Sequence, residues 1–505
     1  MLHALGMGEE KVARAFMYGG LFSLFSASIF WVALSSRKPQ GKAQSELVTL
    51  FIGWLVLPAF AAIPVIFLTP RIGVTGAWFE MIAALTTTGS TVYIDPNRVD
   101  ISIHLWRAIV AWLGGLMTLM AAYVILAPRR MGGFEVLTGS SGTAAGVEVR
   151  LVELGAQMPP VESRVARAFR TILPVYGGLT GALIMLFGMV GGVSMDTVIH
   201  ALGIVSTSGI TALPEGLASA PNLGIEAIAL MGMICAATAR LYGNASRVGA
   251  RVRLTADPEL RLMAWIVLGA SAALFLRHWL AALGQDDDSE IEALTALWGA
   301  IFTTLSFLTT TGYESASWEG ARTWAGLDNP SLILLGLAAI GGGAATTAGG
   351  IKLVRAAALI RHGLDEIGQL AQPMAINPRR GIERRLGVAS ARGTVVTAGA
   401  FLSWAFIMLY VGAVFAVALA LAVTGLPFET SLIGAIAAVS NTGPAFGAVA
   451  PLHDNFALMT APQQLFLAIG MVAGRIETLA LIALMRREAW SGMLATREKA
   501  GNRVI

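Results

Sequence analysis

Residues 305–313 read Leu-Ser-Phe-Leu-Thr-Thr-Thr-Gly-Tyr, an apolar stretch ending in a hydroxyl-rich turn closed by Gly312. The same kind of tetrapeptide occurs four times, as Thr86-Thr87-Thr88-Gly89, Ser206-Thr207-Ser208-Gly209, Thr309-Thr310-Thr311-Gly312 and Ser440-Asn441-Thr442-Gly443. The four stand at intervals of roughly 100 to 130 residues, which marks an internal repeat. Each turn closes a short apolar stretch: 76–87, 194–205, 291–308 or 428–439. These are too short to cross a bilayer, which takes about 20 apolar residues. Longer apolar segments flank each of them. The unit is a spanning helix, a half-helix, a glycine turn and a second spanning helix, written four times in one direction.

The composition agrees. Of 505 residues, 55% are hydrophobic and only 13% charged, whereas soluble domains carry about 25% charged residues. Mean hydropathy is +0.69. A soluble multidomain protein and a disordered chain are both excluded. The single cysteine, Cys235, rules out an intrachain disulfide or a cysteine metal cluster. Nine candidate spans lie near 15–35, 46–68, 101–127, 168–193, 222–246, 260–283, 330–360, 393–424 and 460–486. The first ends in Ser35-Ser36-Arg37-Lys38 with no small-residue cleavage site, so it is read as a helix and not a signal peptide. Most lysines and arginines fall in alternate loops, from Arg37 and Lys38 to Arg486 and Arg487, and the positive-inside rule makes those loops cytoplasmic. The opposite loops carry Asp95, Asp100, Glu215, Asp286, Asp287 and Asp288. The membrane thus accounts for the net charge of +4, and nucleic acid is an unnecessary partner.

Non-helical backbone at membrane depth is tolerated only when it lines a cavity or is buried in protein. Four glycine turns converging on one axis meet that condition. Glycine permits the positive φ values that aim carbonyl oxygens into a pore, and rings of carbonyls replace the hydration shell in potassium filters. The half-helices direct their partly negative C-terminal ends to the axis, which favours a cation. No turn holds a charged residue. A single Thr/Ser-Gly turn reads equally as a helix end; the set of four in register is what points to a pore. The expected fold is an all-α integral membrane protein with four pseudo-fourfold M1–pore helix–M2 repeats around a central pore, plus one extra N-terminal helix. Its expected parts are the extra helix 1–45, repeat 1 at 46–130, a cytoplasmic linker 131–167, repeat 2 at 168–250, repeat 3 at 251–361, a second linker 362–391, repeat 4 at 392–490 and a tail 491–505.

The span 330–360 is interrupted by Gly341-Gly342-Gly343-Ala344-Ala345-Thr346-Thr347-Ala348-Gly349-Gly350. Its five glycines disfavour helix by roughly 1 kcal/mol each relative to alanine. A helix broken at mid-membrane exposes backbone to a transport path; close packing through small residues is the alternative. No Gly-x4-Gly-Lys-Ser/Thr phosphate loop is present. Arg475 stands in the apolar run 465–484 with Glu477 two residues on, and the two point about 200° apart on a helix. They are the only charges evident at depth. Lys352 is expected at the cytoplasmic mouth, with snorkelling as the alternative. None of the six histidines has ligand spacing, and His200 either packs or faces the outer vestibule.

These motifs resemble the bacterial Trk/Ktr potassium transporter family, within the superfamily of K+ transporters, and most closely its TrkH-type subunits. The stretches that carry the resemblance are Leu85 to Thr91, Leu105-Trp106-Arg107, Trp112 to Gly115, Leu305 to Tyr313, Gly341 to Lys352, Asn441 to Pro444 and Gly474 to Glu477. The resemblance implies potassium uptake through a selectivity filter of Thr87, Thr88, Gly89, Thr207, Ser208, Gly209, Thr310, Thr311, Gly312, Asn441, Thr442 and Gly443. K+ is then held at Thr88, Gly89, Ser208, Gly209, Thr311, Gly312, Thr442 and Gly443. Residues 341–350 become an intramembrane gate, with Arg475 beneath the filter beside it. The resemblance further implies a homodimer in the bacterial cytoplasmic membrane. It also implies a cytosolic TrkA/KtrA-like regulatory ring, which binds the nucleotide in place of this chain and docks on the basic stretch 361–392; anionic lipid is the alternative occupant. Gly89 favours potassium, since serine there accompanies sodium selectivity in plant relatives. Family members carry two helices before the first repeat; only one is evident, so Met1–Arg14 face outward or a further helix precedes them. Ile210 after the second turn and the sequence Asn441-Thr-Gly-Pro-Ala-Phe-Gly447 depart from the family pattern. A sodium-selective or ion-coupled transporter of the same fold is the competing reading. An intramembrane enzyme would need paired polar groups at depth.

Overall fold

The computed structural model describes residues 1–35, 43–129, 160–192, 194–219, 222–238, 241–242, 258–281, 290–324, 331–371, 389–449 and 456–477. Among them there is no strand; the protein is helical. The acidic run Asp286–Asp288, most of the linkers 131–167 and 362–391, and the tail 491–505 lie outside the described residues.

A short helix α1 (Leu2–Gly6) precedes the extra helix α2 (Glu10–Ser35). The first repeat comprises α3 (Ala43–Leu68), α4 (Gly73–Leu85) and α5 (Ile101–Ala121). The second comprises α6 (Val161–Gly191), α7 (Met195–Val205) and α8 (Leu223–Ala236). The third comprises α9 (Pro258–Ala281), α10 (Glu290–Leu308) and α11 (Ser331–Ile340), followed by α12 (Leu353–Ala371). The fourth comprises α13 (Ala389–Val423), α14 (Phe428–Val439) and α15 (Ala461–Ile476). The half-helices expected before each turn are α4, α7, α10 and α14.

Among the described residues, six helices are long and apolar enough to cross a membrane: Glu10–Ser35, Glu46–Leu68, Ile101–Leu126, Val161–Gly191, Glu259–Leu276 and Ala400–Val423. The protein is a multi-pass membrane protein. The span expected over 330–360 is not one helix. It stops at Ile340, and helix resumes only at Leu353. The described helix of 222–246 ends at Ala236.

Burial is inverted relative to a soluble protein. The half-helices form the core: Phe79, Met81 and Ile82 of α4 and Ala435 and Ala437 of α14 are inaccessible. Leu24, Phe25, Trp31 and Val32 of α2 are exposed, the apolar face expected of a helix in a membrane. Local signals start the inner helices. Ser194 and Thr197 form a capping box on α7, and Thr460 with Gln463 forms another on α15.

The packing closes on itself. The second spanning helix of each repeat rests on the half-helix of the next: α5 on α7, α8 on α10, and α11 on α14. Helix α15 then returns to α4. One close approach lies within the first repeat. Gly114 of α5 lies against the Leu85 carbonyl at the end of α4, where any Cβ would collide with that oxygen.

Candidate functional site

The four turns share one backbone geometry. In each, two amide groups reach back into the half-helix: Thr88 N to Ala83 O at 2.8 Å with Thr87 N to Ala84 O at 2.8 Å in the first. The same pair recurs as Ser208 to Gly203 and Thr207 to Ile204, as Thr311 to Ser306 and Thr310 to Phe307, and as Thr442 to Ala437 and Asn441 to Ala438. This is the Schellman helix ending, whose left-handed residue is usually glycine. Here that position holds Thr87 (φ 53), Thr207 (φ 53), Thr310 (φ 60) and Asn441 (φ 55). Left-handed backbone at a non-glycine residue costs about 1–3 kcal/mol and persists only where the surroundings enforce it. The sequence places positive φ on the glycines, and this is correct for Gly89 (φ 75), Gly209 (φ 63) and Gly312 (φ 80). Gly443 is not among the positive-φ glycines, and the residue two before each glycine is left-handed in all four turns.

The turns meet one another in cyclic order. A Cβ on Gly89 would strike the Ser208 carbonyl oxygen of the second turn, and one on Gly209 the Thr311 carbonyl oxygen of the third. A Cβ on Gly312 would lie 2.8 Å from Pro444 Cβ in the fourth, and one on Gly443 would strike the Ser90 backbone after the first. Each glycine is required by its neighbour's backbone or ring, and Gly89, Gly209 and Gly312 by their own left-handed φ as well. The fourth turn is bonded most closely to the first. Gly443 N donates to Thr88 O at 2.6 Å, and Asn441 Nδ2 donates to Thr88 Oγ1 at 3.1 Å and to Met471 O at 2.9 Å. Among the first three turns, hydroxyls pair in register: Thr86 with Thr88 at 2.8 Å, Ser206 with Ser208 at 2.9 Å, and Thr309 with Thr311 at 3.1 Å.

Behind the turns lies a layer the sequence did not disclose. Nine residues before each glycine stand Glu80, His200, Thr303 and Gly434. The first three are buried and hold the chain that leaves the turn. Glu80 Oε1 accepts from Thr91 Oγ1 at 2.6 Å and from Val92 N at 2.5 Å, while its other oxygen lies 2.8 Å from Arg107 Nε. His200 Nε2 lies 3.2 Å from Thr211 Oγ1, so this histidine packs behind the second turn. Thr303 Oγ1 accepts from Ser315 N at 3.3 Å. Only the register of the repeats could have revealed this layer.

Residues 341–350 form a hairpin-like loop whose ends are tied together by Ile351 N to Ala339 O, Lys352 N to Ile340 O and Leu353 N to Gly342 O, each at 2.9 Å. Gly341 (φ 74) and Gly350 (φ 73) turn the chain at either end. Between them Gly342, Gly343, Ala344, Ala345, Thr346, Thr347, Ala348 and Gly349 are buried. The loop runs under the ring of turns. Gly349 N donates to Thr310 Oγ1 at 2.8 Å, and Gly349 lies so close to the Ser440 carbonyl that a Cβ would overlap it. Thr347 Oγ1 donates to Val205 O at 3.3 Å, at the end of α7. Three of the four half-helix ends are therefore touched by one loop.

Arg475 Nη1 donates to Thr347 O at 2.7 Å, and its Nε and Nη2 find no partner among the described residues. Glu477 pairs elsewhere: its Oε2 lies 2.9 Å from Nη2 of Arg355, whose guanidinium also sits 3.5 Å over the Phe406 ring. Lys352 is buried, and its Nζ donates to the Ala348 carbonyl within the loop. Glu259 Oε1 accepts from Ala344 N at 3.4 Å. A cavity of about 30 Å³ below the loop, room for about one water, is bounded by Ala345, Thr346, Lys352 and Arg475. The expectation that Arg475 and Glu477 are the only charges at depth is therefore wrong. Glu80, Arg107, Glu226, Glu259 and Arg355 are buried as well. Single charges near the ends of apolar segments escaped notice because hydropathy averages over them.

A family model described as "Cation transport protein", TrkH, matches residues 191–496. The Trk system potassium uptake protein TrkI of Halomonas elongata is 26% identical over 485 residues, covering 95% of this chain and 91% of that protein. The Trk system potassium uptake protein TrkH of Vibrio parahaemolyticus is 27% identical over 495 residues, covering 97% and 94%. The crystal structure of the potassium transporter TrkH from Vibrio parahaemolyticus superposes with a TM-score of 0.75 at 22% identity, covering 97% of this chain and 94% of that one.

Proposed function

The chain belongs to the TrkH family of cation transport proteins, and from that premise we propose that it takes up potassium ions across a bacterial cytoplasmic membrane through the ring of four turns. The observation that carries this reading is the cyclic contact of Gly89, Gly209, Gly312 and Gly443, each with the next turn. Four uncharged turns facing one axis present backbone carbonyls and hydroxyls, ligands suited to a dehydrated alkali cation. K+ is held at Thr88, Gly89, Ser208, Gly209, Thr311, Gly312, Thr442 and Gly443. Left-handed Thr87, Thr207, Thr310 and Asn441 set the direction in which those carbonyls point. The names of the relatives, potassium uptake proteins of the Trk system, support potassium as the ion.

Residues 341–350 act as the gate. Their burial under three half-helix ends, the bond from Gly349 to Thr310 and the bond from Arg475 to Thr347 support an obstruction that must move before ions pass. The positive charge of Arg475 just below the ring shortens the residence of a cation there. The active unit is a homodimer controlled by a cytosolic nucleotide-binding ring that docks on the basic cytoplasmic stretch 361–392 and carries the nucleotide.

Growth of a potassium-uptake-deficient bacterium expressing the chain tests the main reading. We expect growth restored at low K+ without increased Na+ sensitivity. No rescue, or rescue accompanied by sodium loading, would sink it. For the partner, affinity capture from membranes should recover a nucleotide-binding protein, and deleting that protein should lower uptake. Failure of both would remove the ring from the proposal.

A further inference from the structure

We infer that Glu226, on the outgoing helix of the second repeat, is a positioning residue for the third filter turn and sets its ion selectivity from a neighbouring repeat. The inference rests on the transport reading above and adds a determinant outside the four tetrapeptides.

Glu226 lies in the first turn of α8, whose N-cap Asn222 accepts from Gly224 N at 2.9 Å. An acidic residue there already suits the helix dipole, and that alone would leave it facing solvent. Instead it is 2% exposed and both carboxyl oxygens are engaged by the third repeat. Oε2 accepts from Trp298 Nε1 at 2.6 Å and from Ser315 Oγ at 2.8 Å. Oε1 accepts from Ala316 N at 2.8 Å. Trp298 belongs to α10, the half-helix that ends in the third turn, and Ser315 and Ala316 are the chain that leaves it.

The register explains why a carboxyl group is imported here. In the first repeat Glu80 holds the departing chain from within its own half-helix. The equivalent position in the third repeat is Thr303, whose hydroxyl reaches only Ser315 N, at 3.3 Å. Glu226 supplies from α8 the acceptors that Thr303 lacks. The other end of the same segment is tied to the second repeat too, through Tyr313 Oη donating to Ile210 O at 2.7 Å. Residues 312–316 are thus held between two anchors on repeat 2, Tyr313 on Ile210 at one end and Ser315 with Ala316 on Glu226 at the other. Carbonyl spacing in a filter depends on such backing, because the carbonyls themselves have no rigid support of their own.

Substitution by glutamine separates positioning from bulk stability. Its oxygen can keep Trp298 and Ser315, but its amide then faces the Ala316 N–H, donor against donor, and the anchor opens. The test is K+ and Na+ flux into liposomes containing the purified full-length chain, with thermal melting of the same samples. Glu226→Gln should lower K+ over Na+ preference by about tenfold while cation flux persists. Val12→Ala, a buried change on α2 whose cluster contains no residue of the turns, should lower the melting temperature and leave the preference unchanged. Should Glu226→Gln fail to insert, Ser315→Ala, which removes one of the three donors, should shift the preference in the same direction. A wild-type preference in Glu226→Gln, or an equal loss in Val12→Ala, overturns the inference. A wild-type chain with no K+ preference would overturn the transport reading itself, and the inference with it.

Discussion

Arg475 and Thr347 are 128 residues apart in sequence and joined by a 2.7 Å hydrogen bond from the guanidinium to a main-chain carbonyl. The bond crosses from the last helix of the fourth repeat to the loop of the third. Its acceptor is a backbone group, so it constrains where the loop lies and not which side chain occupies it. Arg475 is one helical turn beyond Met471, whose carbonyl accepts from Asn441 in the fourth turn. The same face of α15 therefore touches both the ring of turns and the loop beneath it.

Releasing the loop should raise flux. Deleting Gly343 to Thr347 removes the segment under the ring, and Arg475→Ala removes the Thr347 tether alone. Both are expected to increase K+ flux in liposomes at matched protein amounts, the deletion more. Lower flux together with lower thermal stability in the deletion would mark the segment as scaffold.

Adding a side chain to a turn glycine should harm selectivity before insertion. Gly312→Ser combines a left-handed backbone with a Cβ 2.8 Å from Pro444. K+ over Na+ preference should fall steeply while membrane insertion survives. Retention of the wild-type preference would remove the third turn from the filter.

The left-handed threonines allow a comparison within the ring. Thr87 Oγ1 has no partner among the described residues, whereas Thr310 Oγ1 accepts from Gly349 N at 2.8 Å. Glycine relieves the backbone strain at both sites, but at Thr310 it also deletes a buried hydrogen bond worth about 1 kcal/mol. Thermal melting should place Thr310→Gly below Thr87→Gly; the reverse order would contradict the Gly349 contact.

The Glu80–Arg107 pair, 2.8 Å apart and fully buried, should behave as a unit. Removing one partner of such a pair typically costs about 3–5 kcal/mol because the other is stranded. Glu80→Gln and Arg107→Met should each lower the melting temperature, and the double variant should recover much of the loss. Additive losses would show that the two groups act independently.

Much of the architecture was legible in the chain. Short apolar stretches ending at Gly89, Gly209, Gly312 and Gly443 announced the half-helices because helix ends and glycine turns are local properties. The break at 341–350 was legible for the same reason: five glycines in ten residues cannot sustain a helix, whatever surrounds them. The resemblance to the family rested on these motifs.

What the sequence determined was therefore the list of elements, their order and direction, and the places where regular helix must stop, since each follows from hydropathy and backbone propensity over a few residues. Only the tertiary structure decided which groups meet. Left-handed Thr87, Thr207 and Thr310 run against the intrinsic preference of threonine and are held there by the packed ring. The ring order, Gly89 against Ser208 and onward to Gly443 against Ser90, joins repeats far apart in sequence. Glu226 illustrates the reason: at α8's first turn it reads as a helix-start acid, and it becomes an anchor for Ser315 and Ala316 only when α8 packs on α10. Long-range contacts depend on the closure of four units around an axis, and no local stretch of sequence contains that geometry.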